Sequence, residues 1–165
     1  MRPATRLLTS QQLAAGLLAL ALCGAASAQA SNTCEFQAAT LRVIHPWTRA
    51  TLVGAKDGVL LMTFQDVAED DRLIAIETPI ASGAELIRSN GEAQALNLPI
   101  PKGQVTTLSE EGMHIRLLGL KHKLEVGRSY PLTMVFAKGG TVVGDVDVDY
   151  EALPPPACPQ GNTCR

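Results

Sequence analysis

Apolar and polar side chains alternate with a period of two through most of this chain, in stretches rich in Val, Ile and Thr separated by clusters of Gly, Pro, Asp and Asn. A strand sends successive side chains to opposite faces, so this rhythm reads as β-structure. Beyond residue 28 no stretch sustains apolar positions at i, i+3, i+4 and i+7, and no helix is predicted there. The pattern places strands at 40–47, 58–65, 72–77, 85–88, 104–108, 113–118, 130–136 and 141–150. Turns are predicted at Val53-Gly54, Ser89-Asn90-Gly91, 99–103, Glu111-Gly112 and Gly139-Gly140. About eight short strands at this spacing predict an all-β fold, a Greek-key sandwich or barrel.

The last predicted strand shows the alternation most clearly, with Val146, Val148 and Tyr150 on one face and Asp145, Asp147 and Asp149 on the other. Three aligned carboxylates raise the question of calcium. A calcium loop needs a glycine for its sharp turn and a distal bidentate Glu, and Tyr150-Glu151 supplies neither arrangement. The three Asp therefore read as a solvated strand face that discourages edge-to-edge pairing.

The start of the chain follows another rule. Arg2 and Arg6 precede an apolar run from Leu13 to Leu22, and Ala26-Ser27-Ala28 follows, the order of a cleaved secretory signal. The run is far short of the ~20 residues a membrane helix needs, and no later segment is long enough to span. Leu22 stands where a lipoprotein signal favours a small residue, so cleavage after Ala28 is preferred to lipidation at Cys23. The chain then divides into a signal peptide at 1–28, a lead-in at 29–39, a β-sandwich domain at 40–151 and a Pro- and Cys-bearing tail at 152–165. Its expected location is periplasmic or secreted.

Loss of the signal removes Arg2 and Arg6 from 14 Lys+Arg, leaving 12 against 16 Asp+Glu, a net charge of −4. Nucleic-acid binding needs a basic face and is not expected. The remaining length suffices for one core without metal or heavy cross-linking. Export exposes the three remaining cysteines, Cys34, Cys158 and Cys164, to an oxidising compartment, and an odd number leaves one thiol over. The first and last strands of a Greek-key fold often end close together, which favours a bridge from Cys34 to Cys158 or Cys164. A local Cys158–Cys164 bridge is the alternative, with Pro159 and Gly161-Asn162 able to form its turn.

Among the histidines, His45 precedes Pro46-Trp47 with no second ligand in sequence reach and reads as a surface or hydrogen-bonded residue. His122 lies between Lys121 and Lys123, whose charges disfavour a further cation. His114 shares a strand face with Arg116 and Leu118, while Met113, Ile115 and Leu117 form the core face. Met62 and Met134 alternate with apolar neighbours and read as packing residues. Trp47, the only tryptophan, is expected to close one end of the core. No Gly-x-Ser-x-Gly elbow or His-Glu-x-x-His motif is present, and an enzyme is not expected.

Several segments share one order and spacing: His45-Pro46-Trp47-Thr48-Arg49-Ala50-Thr51, Asp71-Arg72-Leu73, Ile100-Pro101 with Gly103, Gly112-Met113-His114-Ile115, Leu118-Gly119-Leu120-Lys121, and Pro131-Leu132-Thr133-Met134-Val135-Phe136. Through them residues 41–148 resemble the periplasmic copper chaperone family known as PCu(A)C. The resemblance implies a cupredoxin-like β-sandwich, Cu(I) as cargo, and a copper-receiving periplasmic or membrane oxidase protein as partner. It further implies four ligand positions: a His after Glu-Leu, a Met some residues later, and a His-x-Met. Here Glu85-Leu86 is followed by Ile87, no Met lies between Ile87 and Gly112, and the final motif reads His114-Ile115-Arg116. His114 is the one inherited ligand.

Arginine removes more than a thioether, because guanidinium stays protonated and has no lone pair to donate. Its charge ~5 Å from Cu(I) would cost about 3 kcal/mol at an effective dielectric of ~20. A soft ion also prefers sulfur to the oxygen donors that remain. The tail cysteines could supply sulfur, although a disulfide is their commoner fate. The sequence thus points to an exported copper-handling accessory protein that binds Cu(I) weakly or not at all. A metal-free periplasmic protein-binding module on the same fold is the alternative.

Overall fold

The structure, a computed structural model, describes residues 34–151. Cys23, the signal segment, Cys158 and Cys164 lie outside the described residues. Eleven strands are present: β1 (Glu35–Gln37), β2 (Arg42–Arg49), β3 (Gly58–Gln65), β4 (Asp71–Glu77), β5 (Gly83–Ile87), β6 (Ala93–Ala95), β7 (Leu98–Ile100), β8 (Thr106–Thr107), β9 (His114–Leu118), β10 (Ser129–Phe136) and β11 (Gly140–Tyr150). All eight predicted strands are among them, and the described residues contain no helix.

The strands form one sheet in the order β6-β5-β9-β3-β2-β11-β10-β4-β7, with β1 on β2 and β8 on β3. Neighbours are antiparallel except β2 and β11, which run parallel. Leu86 near one end of this order and Leu73, Leu98 and Ile100 at the other join a single buried cluster with Leu60, Phe64, Ile115, Leu132 and Val146. A sheet whose two ends share a core must curl on itself, and it closes partway toward a barrel. Met62 and Met134 lie in this core, 2% and 0% exposed, as their alternation predicts. Trp47 is only half-buried and packs against the cluster from its margin.

Three strands escape the sequence pattern for physical reasons. Residues 99–103 read as a turn because of Pro99 and Pro101, yet Leu98-Pro99-Ile100 forms β7. It lies at the sheet's edge, where a proline lacking an N–H is tolerated. β6 caps the opposite edge and is equally short. β1 comes from the lead-in and is held by Phe36, whose ring covers Gly144 so closely that a Cβ there would meet it at 2.5 Å.

A buried carboxylate ties two corners of the sheet together. Asp71 is 4% exposed. Its Oδ2 accepts from Thr40 Oγ1 at 2.5 Å and from Gly139 N–H at 2.8 Å, and its Oδ1 accepts from the N–H groups of Arg72 and Lys138 at 2.7 and 2.8 Å. Gly139 permits this approach, since a Cβ there would lie 2.7 Å from Thr40 Oγ1. Burial alone would raise the Asp71 pKa, but the four donors outweigh it and hold the carboxyl below its ordinary 3.8. A carboxyl lowered on folding contributes stability that is complete above its unfolded pKa and is lost as pH falls through the folded one. Asp71→Ala is expected to cost on the order of 3 kcal/mol at neutral pH, because buried donors lose their acceptor. Denaturant unfolding should show this difference from wild type narrowing as the pH falls below about 4.

Candidate metal centre

Three of the four positions that the resemblance assigns to copper, 87, 114 and 116, lie on β5 and β9. These strands pair antiparallel with Leu86 opposite Ile115, Ile87 opposite His114 and Glu85 opposite Arg116. Leu86 and Ile115 point into the core, 1% and 0% exposed, so Ile87, His114, Glu85 and Arg116 share the other face. β3 extends that face by placing Val59 opposite Arg116. A histidine at 87 would therefore stand directly across the ladder from His114, but an isoleucine 6% exposed fills the place.

Arg116 is fixed by its cross-strand neighbour. Its Nε donates to Glu85 Oε1 at 2.6 Å, and Nη2 contacts the same oxygen. The pair offsets much of the charge that would otherwise repel a cation. His114 is half-buried, with Nδ1 3.1 Å from the carbonyl of Gly112, and it borders a cavity of about 410 Å³. Arg49, Asp57 and Glu110 line the same cavity, so its polar donors are hard oxygens or cations. Arg49 itself is held by Glu110, Nε to Oε1 at 3.0 Å. Met113 packs against the core at its margin.

The structure assembles a second group that sequence spacing conceals. β2 cannot pair with β3 through Pro46, which has no N–H, and the ladder slips between Ile44 and Trp47. At this bulge His45 adopts φ of 47°. Its Nε2 lies 2.5 Å from Asp149 Oδ2, 104 residues away in sequence. One ligand atom each from His45, Asp147 and Asp149 fall within 4.8 Å of one another. Ser129 Oγ donates to Asp147 Oδ1 at 2.7 Å, and Cys34 Sγ to Oδ2 at 3.4 Å. Burial pushes the Cys34 pKa up, and the hydrogen bond to Asp147 and the charges of Asp147, Asp145 and Asp149 push it further. Trp47 stands beside this group, its ring centroid 6.5 Å from that of His45 and 4.8 Å from that of Tyr150. His122 is exposed in a turn, its Nδ1 2.9 Å from the Lys123 carbonyl.

Residues 41–148 match the family described as "Putative lipoprotein LpqE-like". The chain belongs to this LpqE-like family. Its relative "Putative lipoprotein Lxx21020" from Leifsonia xyli subsp. xyli (strain CTCB07) is 31% identical over 153 residues, covering 86% of this chain and 89% of that one. The apo PCuAC domain from PmoF1 is 30% identical with a TM-score of 0.66, covering 71% of this chain and 99% of that domain. The copper-bound PCuAC domain from PmoF2 is 25% identical with a TM-score of 0.65, covering 71% and 98%. The LpqE-like chain thus carries a domain with the all-β, cupredoxin-like PCuAC fold.

The Glu85–Arg116 contact is partly exposed, and such pairs contribute about 0–1 kcal/mol. A double-mutant cycle of Glu85→Gln and Arg116→Met, read by denaturant unfolding, should give a coupling below about 1 kcal/mol. A much larger value would make the pair a structural clamp rather than an occupant of the ligand position.

Proposed function

We propose that this LpqE-like protein is an exported copper-handling accessory protein whose inherited Cu(I) site is degraded. One observation carries the reading: the β5/β9 register sets Ile87 across from His114 and Glu85 across from Arg116. The face that would present several donors instead presents one imidazole between an aliphatic side chain and an ion pair. Copper is the cargo to test because the domain is similar to one solved with copper bound. His114 is the ligand expected to contribute whatever Cu(I) affinity remains. The expected partner is a copper-receiving periplasmic or membrane oxidase protein.

Two features support a location outside the cytoplasm: the signal-like order of residues 1–28 and likeness to a relative named as a lipoprotein. No helix among the described residues is long and apolar enough to cross a membrane. It is read as a non-enzymatic binding protein.

A second reading, a metal-free protein-binding module, draws on one observation. Leu52 and Val53, at the turn between β2 and β3, are 49% and 85% exposed, and Leu52 borders the cavity beside His114. Apolar side chains held open at the mouth of a cavity are suited to protein contact.

Anaerobic titration against a strong Cu(I) chelator separates the two readings. Wild type is expected to bind far more weakly than an intact His-Met site, and Ile87→His with Arg116→Met should strengthen binding at least about tenfold, the equivalent of ~1.4 kcal/mol. Tight stoichiometric binding by wild type, abolished by His114→Ala, would show that the site is not degraded. No gain from the double substitution would favour the metal-free reading.

A further inference from the structure

We propose that His45, Asp147 and Asp149 form a second metal site, built on the β2/β11 pair, for a divalent ion of the Zn²⁺ or Cu²⁺ class. The three side chains come from two strands that run parallel, with Asp147 directly opposite Trp47 and Asp149 at the register shift between Val148 and Tyr150. Their ligand atoms already lie within 4.8 Å of one another, and the carboxylates are exposed enough to turn inward onto an ion. Zn²⁺ bonds to imidazole nitrogen and carboxylate oxygen are ~2.0–2.2 Å long, so a small rotation of each side chain closes the set.

The donors select the ion. An imidazole with two carboxylates suits borderline divalent ions, whereas calcium and magnesium take oxygen ligands and Cu(I) prefers sulfur. This places the group apart from the Cu(I) position at His114 in both location and chemistry. Among the described residues no Lys or Arg forms an ion pair with Asp147 or Asp149, and the side chain against Asp149 is the His45 imidazole. Ser129 orients Asp147 from behind, as outer hydrogen bonds commonly do for metal-binding side chains. Cys34 Sγ donates to the other Asp147 oxygen at 3.4 Å and holds that side of the carboxylate.

The backbone at His45 supports the same assignment. A residue followed by proline is restricted to extended conformations, yet His45 sits at a positive φ. The bulge that allows this aims its ring at Asp149.

The test is calorimetric titration of the signal-cleaved chain carrying Cys158→Ser and Cys164→Ser with ZnCl₂, thiols reduced, and separately of the same chain with Cys34→Ser added, with CuCl₂. One equivalent should bind. His45→Gly removes the imidazole while tolerating the positive φ, and Asp149→Asn removes one charge at nearly constant shape. Each should weaken binding by more than about tenfold, with thermal unfolding confirming a folded domain. Asp145→Asn and His114→Ala should change it less than about twofold. Absence of binding by the parent chain, equal affinity in His45→Gly, or loss of binding in His114→Ala would each overturn the proposal. A preference for CaCl₂ that survives His45→Gly would also overturn it, leaving only a solvated acidic face.

Discussion

The antiparallel register of β5 on β9 is the constraint from which the copper question follows. Leu86 and Ile115 face each other across that ladder with almost no exposure, and they belong to the core shared by both ends of the sheet. A slip of one residue would turn these two side chains out and bring Glu85 and Arg116 in, which burial forbids. The register is therefore secured by residues that take no part in metal chemistry. Ile87 and Arg116 could replace donors on the opposite face without altering the fold, and the PCuAC architecture persists around them.

A second local rule acts on β2. Pro46 interrupts the ladder to β3, and the bulge around it turns His45 toward the end of β11. The sheet thus carries His114 beside Ile87 on β9 and β5 and, across β3 and β2, a group where an imidazole and two carboxylates converge. A fold with a known use can in this way support a different chemistry on neighbouring strands, because function resides in particular side chains.

How much of this was legible before the structure depended on the range of each interaction. Period-two alternation located every long strand, and the core positions of Met62 and Met134 followed from their neighbours. The replacements at Ile87 and Arg116 were visible through the resemblance, since they fall within short motifs. The ion pair that accommodates Arg116 was not, because Glu85 lies 31 residues away and only strand pairing makes them neighbours. The group at His45 was less visible still. Asp145, Asp147 and Asp149 were recognised as a ladder, but only the parallel pairing of β2 with β11 brings His45 to it. Edge strand β7 was hidden by Pro99, which reads as a turn residue wherever the edge of the sheet is unknown.

The central claim is that Cu(I) has no well-formed site at His114. The most direct measurement follows the His114 imidazole signals by nuclear magnetic resonance during anaerobic addition of Cu(I), assigned by comparison with His114→Ala. The account predicts that at one equivalent these signals remain near their starting positions or shift only gradually with excess metal. A stoichiometric change in them, complete at one equivalent, would contradict it.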